Sequence, residues 1–152
     1  MNTELIPAKL AAYFKDYASY HKHPGNKKTH YVGIPMIVFS ILGGLSNIVL
    51  VKNLGGSELL QIDLGILLWA AASVWYFTLD ARLATPFSLI MCGMYFAART
   101  VAWPIHLALF VVGWIIQLYG HKIEGNKPAF FKSIEHLLIG PFWIFANITK
   151  VI

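Results

Sequence analysis

The sequence predicts an all-α membrane protein, a polytopic helical bundle with about four transmembrane helices, an N-terminal amphipathic helix and a C-terminal apolar segment. Composition is the first observation behind this prediction. Of the 152 residues 57% are hydrophobic and only 12% are charged, and the mean hydropathy is +0.61, which is unusual for a water-soluble domain. The second observation is that the sequence contains long uncharged runs. The third is that basic residues lie at the ends of these runs. Residues 1–152 have the length of one domain, so we treat them as a single membrane-embedded unit.

The first predicted element is the amphipathic helix from Ile6 to His21. Leu10, Phe14, Tyr17 and His21 follow one another at steps of 4, 3 and 4 residues, which places them on one face of a helix. We expect this helix to lie at the membrane surface and to carry His21 toward the same interior as its apolar neighbours.

A turn is predicted between this helix and the first span. The Pro24-Gly25 pair breaks the chain, and Asn26 can cap a short turn that leads through His30. A residue that precedes proline is disfavoured in the helical region, whereas a proline suits the first position of a helix. The first span is therefore predicted from Pro35 to Val51.

Three further spans are predicted, together with a shorter apolar segment. The second covers Leu59 to Leu79, the third lies between Arg82 and Arg99, and the fourth covers Thr100 to Tyr119. The 16 residues of the third span make about 24 Å of helix, which is less than the roughly 30 Å of a bilayer core. We therefore expect its flanking arginines to snorkel or the bilayer to become locally thinner. Leu137 to Ile148 is short and contains Pro141, so it is predicted to be re-entrant or packed against the bundle.

The basic residues predict the orientation, because lysine and arginine are enriched in cytoplasmic loops. With four spans and a cytoplasmic N-terminus, ten of the 12 basic residues lie inside, and only Lys52 and Arg99 lie outside. His21, His30 and His121 then lie at one face of the membrane, although about 90 residues separate the last from the others. This distribution also argues against nucleic acid as a partner, since no exposed basic stripe is interleaved with stacking aromatics.

The end of the fourth span carries the polar residues of most chemical interest. Gln117, His121 and Glu124 are spaced i, i+4 and i+7, so they share one face if the helix continues past Gly120. Gly125-Asn126-Lys127-Pro128 then ends the helix. A histidine and a glutamate one turn apart can face one metal ion. An interfacial histidine beside an ion-paired glutamate is the alternative interpretation.

The other three histidines are weaker candidates. His106 precedes His121 by 15 residues, about 22 Å along a continuous helix, so the two cannot share an ion, and a hydrogen-bonded helix histidine near the outer face is expected. His23 beside the turn is either a ligand or a solvated loop residue. His136 is expected at a helix surface or at the membrane interface.

Two blocks of sequence resemble a known family. The first contains Tyr20-His21, Asn26, His30 and Ile34-Pro35, and the second contains Trp114, Gln117, Gly120-His121, Glu124, Pro128-Ala129 and Pro141. Together they resemble the membrane-bound 2-hydroxy fatty acid dioxygenases of fatty acid α-oxidation. The resemblance covers nearly the whole chain, although the middle spans match only in hydropathy.

The resemblance implies a multi-pass membrane enzyme that uses Fe²⁺ and O₂ to convert long-chain 2-hydroxy fatty acids to acids one carbon shorter. It implies a bacterial inner membrane, or the endoplasmic reticulum in a eukaryote, with the active site at the cytoplasmic side. His21, His30 and His121 would be the iron ligands, and Glu124 a ligand or a partner of the ligands.

Substrate binding is expected from three further residues, Asn26, Gln117 and Lys127. Lys27, Lys28 or Lys127 could neutralise a carboxylate at the interface. One departure from the family pattern is Asn147, which stands where a glutamate is expected six positions after Pro141.

The chemistry of the residues is compatible with this function. Imidazoles with at most one carboxylate, leaving open positions, are typical of non-haem Fe²⁺ oxygen chemistry. A 2-hydroxy acid can chelate such an ion and supplies all four electrons that O₂ requires. Neither nicotinamide nor flavin is then needed, and no glycine-rich dinucleotide motif is present.

Three other classes of protein fit less well. Membrane di-iron desaturases and hydroxylases carry adjacent histidine pairs, and this sequence has none. A transporter or channel would place ionisable residues at mid-membrane depth, whereas the charges here lie at the span ends. A non-catalytic membrane scaffold with incidental histidines is the alternative that bound iron would exclude.

Overall fold

A computed structural model describes residues 6–56 and 61–151, and within these residues the protein is a bundle of α-helices. The helices are α1 (Ala8–Ser19), α2 (Pro24–Ser46), α3 (Leu64–Leu79), α4 (Ala81–Ala98), α5 (Trp103–Glu124) and α6 (His136–Ile148). The strands β1 (Val49–Val51) and β2 (Ile62–Asp63) pair antiparallel in the connection from α2 to α3. Single 3₁₀ turns cover Leu54–Gly56 and Ala129–Phe131. The predicted all-α class is confirmed.

Three of the described helices, α2, α4 and α5, are long and apolar enough to cross a membrane. The helices α3 and α6, of 16 and 13 residues, are shorter. Large apolar side chains on α3, α4 and α5 face outward, with Val74 and Leu89 each 67% exposed and Ile115 61% exposed. Such a surface is compatible with lipid contact and unusual for a soluble monomer. The count of four spans stays a prediction.

The first long helix starts earlier than predicted. The sequence predicted a break at Pro24-Gly25 and a first span from Pro35 to Val51, but α2 already begins at Pro24. Pro24 occupies the first turn of α2, where its missing N–H costs nothing, and the His23 ring caps the helix by accepting from the Gly25 N–H at 3.0 Å. Asn26 is therefore an interior residue of α2, not a cap, and Pro35 is accommodated within the helix. Neighbouring helices commonly allow an interior proline in membrane helices.

Two other predicted boundaries also move. The second span was expected from Leu59, which lies outside the described residues, but α3 begins at Leu64 because the Asp63 carboxylate caps it and accepts from the Ile66 N–H at 2.9 Å. The fourth span begins at Trp103 instead of Thr100, with a proline in its first turn. At its other end α5 continues past Gly120, as the shared face of Gln117, His121 and Glu124 requires, and ends in the left-handed residue Gly125.

Close packing of α2 against α5 positions the polar residues of both helices. Gly33 lies against the backbone carbonyl of Gly113, and Gly120 lies against the side chains of Asn26 and Thr29. At such contacts a Cβ atom on either glycine would crowd the opposite helix. Small residues at helix interfaces allow backbones to approach closely in membranes, where association depends on packing.

The helices α1 and α6 cover one side of this pair and bury the predicted apolar face of α1. Leu10, Phe14 and Tyr17 are at most 3% exposed, and Phe14 packs edge-on against Phe142 of α6 at 5.9 Å between ring centroids. A helix with one buried apolar face is therefore present within the predicted range, over Ala8–Ser19, and its position at the membrane surface stays a prediction. Of the two predicted alternatives for the C-terminal apolar segment, the structure shows packing against the bundle as α6, which continues through Pro141.

Candidate metal centre

Three histidines from separate parts of the chain meet in the interior of the bundle. His21 follows α1, His30 lies in the second turn of α2 and His121 lies in the last turn of α5. Their side chains are nearly inaccessible to solvent, with residue exposures of 1%, 2% and 7%. The Nε2 atom of His30 lies 3.0 Å from Nε2 of His21 and 3.1 Å from Nε2 of His121. The sequence predicted this set, and the structure brings all three together.

Backbone carbonyls determine which nitrogen of two rings is available. His21 Nδ1 lies 2.7 Å from the carbonyl oxygen of Tyr17, and His30 Nδ1 lies 2.9 Å from that of Asn26. A carbonyl can only accept, so in a neutral ring the proton is on Nδ1 and Nε2 carries a lone pair. Burial lowers the pKa of His21 to about 4, so this ring is neutral near pH 7. Two lone pairs that face each other across 3.0 Å would be stabilised by a cation between them.

The separations fit a metal ion. Imidazole nitrogens bind an ion such as Zn²⁺ at about 2.0–2.1 Å, so two of them at right angles lie about 3.0 Å apart. The three candidate ligand atoms all lie within 4.8 Å of one another. The three buried histidines could therefore hold one metal ion, with positions left for other ligands.

Glu124 does not point into this group. Its carboxylate accepts from the backbone N–H groups of Lys22 at 3.0 Å and His23 at 2.8 Å, and from the Asn26 side-chain amide at 3.1 Å. These bonds connect the end of α5 to the segment that follows His21. Of its two predicted roles, ligand or partner of the ligands, the hydrogen bonds favour the second.

A cavity extends from the histidines into the bundle. Its volume is about 690 Å³, its open mouth included. Apart from the three histidines, its lining is mainly apolar and comes from α2, α5, α6 and the segment 128–130, with Ile34, Ile37, Trp114 and Phe130 as examples. The arrangement suits a molecule with a polar head and an apolar tail.

Comparison with known proteins identifies a matching family. The family model described as "2-hydroxy-palmitic acid dioxygenase Mpo1-like" matches residues 8–152. The chain belongs to the Mpo1-like family. It is similar to "2-hydroxy-palmitic acid dioxygenase MPO1" of Saccharomyces cerevisiae, at 26% identity over 134 residues that cover 84% of this chain and 72% of the yeast protein. No solved structure shows significant similarity to it.

The three predicted substrate-binding residues of this Mpo1-like protein lie in different environments. Gln117 lines the cavity one turn before His121, and its Nε2 is buried with no hydrogen-bond partner among residues 6–56 and 61–151. Asn26 is fully buried behind His30, with its amide donating to Glu124 and to the Tyr20 carbonyl. Lys127 is exposed in the loop after α5 and does not line the cavity.

His136 also lines the cavity, and the prediction that it lies at a helix surface or at the membrane interface is wrong. It is 5% exposed, with Nε2 at 3.0 Å from the Asp16 carboxylate and Nδ1 at 3.1 Å from the Ser133 carbonyl. The Tyr17 ring lies between the rings of His21 and His136. It stacks on the His21 ring at 4.1 Å between centroids, and its centroid lies 6.0 Å from that of His136. The 4, 3, 4 spacing in α1 predicted that Tyr17 is buried. It gives no information about α6, which contacts α1 only in the tertiary fold.

The remaining histidines lie outside the cluster. His106 is buried at the other end of α5 and bonds the Ala98 carbonyl at 3.1 Å, which confirms the predicted hydrogen-bonded helix residue. His23 is exposed and caps α2. Asn147, the departure from the Mpo1-like pattern, bonds the Trp143 carbonyl of its own helix at 2.7 Å and does not line the cavity.

Proposed function

We propose that this protein is an Fe²⁺-dependent dioxygenase that converts long-chain 2-hydroxy fatty acids to fatty acids one carbon shorter. The observation that carries the proposal is the group of three buried Nε2 atoms at the end of a mainly apolar cavity. The substrate class is supported by the family and by the printed name of the yeast relative.

The donor set is compatible with iron. Imidazole suits Zn²⁺, copper, iron and nickel, but Zn²⁺ has no redox chemistry of its own. The family resemblance favours Fe²⁺ among the redox-active ions. When bound, Fe²⁺ would provide the position where O₂ and the chelating hydroxy acid react. His21, His30 and His121 would hold it, with Nδ1 of the first two fixed by the carbonyls of Tyr17 and Asn26.

The proposed reaction balances without a further reductant. R–CHOH–COOH and O₂ give R–COOH, CO₂ and H₂O: the bond between C1 and C2 breaks, and C2 is oxidised from an alcohol to a carboxyl carbon. The substrate supplies the four electrons that reduce O₂. No reduced nucleotide or 2-oxoglutarate is consumed.

Side chains around the histidines would orient the substrate and exclude water. Gln117 Nε2 is buried one turn before His121 and has no hydrogen-bond partner in the part of the chain that the structure describes, so it can donate to the carboxylate or hydroxyl oxygen of the substrate. The apolar lining from Ile34 to Ile41 would hold the first part of the tail. Asn26 would act through His30, and Lys127 would act only at the entrance.

The distribution of basic residues supports a multi-pass protein with its histidine end toward the cytoplasm. Lys127→Cys in the loop after α5 should then resist a membrane-impermeant thiol reagent applied from the outside. Ready labelling of this variant in sealed cells would show that the orientation is the opposite one.

Glu124→Gln is expected to weaken metal binding by about 10- to 100-fold, the usual range for residues that orient ligands, and less than loss of a histidine. The reason is that an amide cannot accept all three bonds from Lys22, His23 and Asn26. Competition with a chromogenic chelator measures the affinity.

Glu135→Gln is the matched control. It removes the same charge from an exposed residue without touching the segment after His21, so wild-type affinity is expected. Loss of all metal from Glu124→Gln, as severe as from His121→Ala, would instead make the carboxylate a ligand.

Product analysis tests the proposed reaction. Detergent-solubilised protein with Fe²⁺ and O₂ should convert 2-hydroxypalmitic acid to the acid one carbon shorter without 2-oxoglutarate, as measured by mass spectrometry. Palmitic acid should not react, because it lacks the chelating hydroxyl and two of the four electrons. Failure of every 2-hydroxy acid in iron-loaded protein would reject the function.

A further inference from the structure

A second apolar cavity adjoins the one that contains the histidines. Its volume is about 730 Å³, its open mouth included, and it lies between α2, α3, α4 and α6. Four residues line both cavities, Val38 and Ile41 of α2 and Leu137 and Pro141 of α6. The two spaces are therefore neighbours whose walls share these apolar side chains.

The second cavity presents an apolar surface to an occupant. Its large polar side chains are satisfied by the backbone: Trp69 Nε1 donates to the Ser88 carbonyl at 3.0 Å, and Tyr76 Oη donates to the Leu138 carbonyl at 2.8 Å. In contrast, the first cavity contains the histidine nitrogens and the unpaired Gln117 amide. The polar recognition groups are therefore concentrated at the histidine end, which suits an amphiphile with one head group.

We propose that the second cavity receives the distal part of the acyl tail of the substrate, which would pass beside Ala72 on α3. This inference rests on the proposed function. From His30 to Leu42, which lines the second cavity, α2 covers 12 residues, or about 18 Å at about 1.5 Å per residue. The tail would run along this face of α2, past Val38 and Ile41, to the space beside Ala72 and Met91.

Selection by length should be one-sided. In a membrane the tail leaves lipid that is as apolar as the cavity, so burying each additional methylene gives little. A blocked cavity should then reject long tails sterically and leave short ones unaffected.

Ala72→Phe is the test variant, because Ala72 lines the second cavity but not the first. We expect its kcat/KM for 2-hydroxypalmitic acid to fall by at least about tenfold, the lower range for steric misfit in an apolar pocket. Turnover of 2-hydroxyoctanoic acid should not change. Ala71→Phe is the matched control, since its side chain is exposed on the adjacent position of α3 and should leave both substrates unaffected.

Photolabelling gives a readout that does not depend on turnover or on correct folding of a variant. A 2-hydroxy fatty acid with a diazirine at its terminal carbon should label wild-type protein in α3 and α4, near Ala72 and Met91. A diazirine next to the head group should label the segment around Phe130, which lines the first cavity.

The outcomes separate the two proposals. If the wild type shortens both acids while Ala72→Phe still accepts the long one, or terminal labels fall outside the second cavity, the tail inference is wrong and the function stands. If the wild type shortens neither acid, the function fails, and the terminal label alone decides whether an amphiphile occupies both cavities.

Discussion

His30→Ala is expected to remove both the bound metal and the activity. His30 is the central member of the cluster, since its Nε2 lies 3.0 and 3.1 Å from those of His21 and His121. Without it, the two remaining rings cannot surround an ion on three sides. We expect metal affinity to fall by more than about 100-fold, beyond the usual effect of changing a residue that only orients a ligand.

His106→Ala is the control for this prediction. His106 is equally buried, but its ring bonds the Ala98 carbonyl at the far end of α5. The variant should lose stability, because its hydrogen bond and packing are lost, yet keep metal and turnover at a temperature where it remains folded. Stoichiometric iron and full turnover in His30→Ala would contradict the assignment of the site.

Gly120→Ala should damage the site without changing any polar residue. A Cβ atom at Gly120 would lie 2.5 Å from Asn26 Oδ1 and 3.1 Å from Thr29 Cβ, so these side chains must rotate or α5 must move away from α2. These two helices carry His121 and His30, and Asn26 also provides the carbonyl that orients His30. Overpacking of this kind typically costs about 1–3 kcal/mol, and we expect metal affinity to fall by at least about tenfold.

Gly93→Ala is the matched control, because it makes the same substitution at an uncrowded position. A Cβ atom there has no neighbour within 4 Å among the described residues, and alanine in a helix interior is favoured over glycine by about 0.5–1 kcal/mol. Thermal unfolding in detergent and chelator competition on both variants measure the two effects. Wild-type melting temperature and metal affinity in Gly120→Ala would show that the close approach of α2 and α5 does not control the centre.

The sequence was sufficient where a local periodic pattern determines the outcome. The apolar steps that end at His21 predicted the buried face of α1, and the shared face of Gln117, His121 and Glu124 required α5 to continue past Gly120, as observed. The histidine cluster followed from the motif blocks and the orientation of the spans.

Local rules failed where tertiary packing overrides them. Pro35 indicated a helix start, but α2 continues through it because the face that contains Gly33 is packed against α5. His136 was placed at a surface because its partner Asp16 is 120 residues away in sequence. Gly113 and Gly120, seven residues apart on α5, are the signal for close helix packing that the sequence analysis did not use.

X-ray absorption of the iron-loaded protein, combined with metal analysis, tests the central claim most directly. The account predicts one iron per chain, with imidazole nitrogens of His21, His30 and His121 as the protein ligands, and no ordered iron in the triple alanine variant. Iron held without imidazole ligands, or retained at one per chain in that variant, would contradict it.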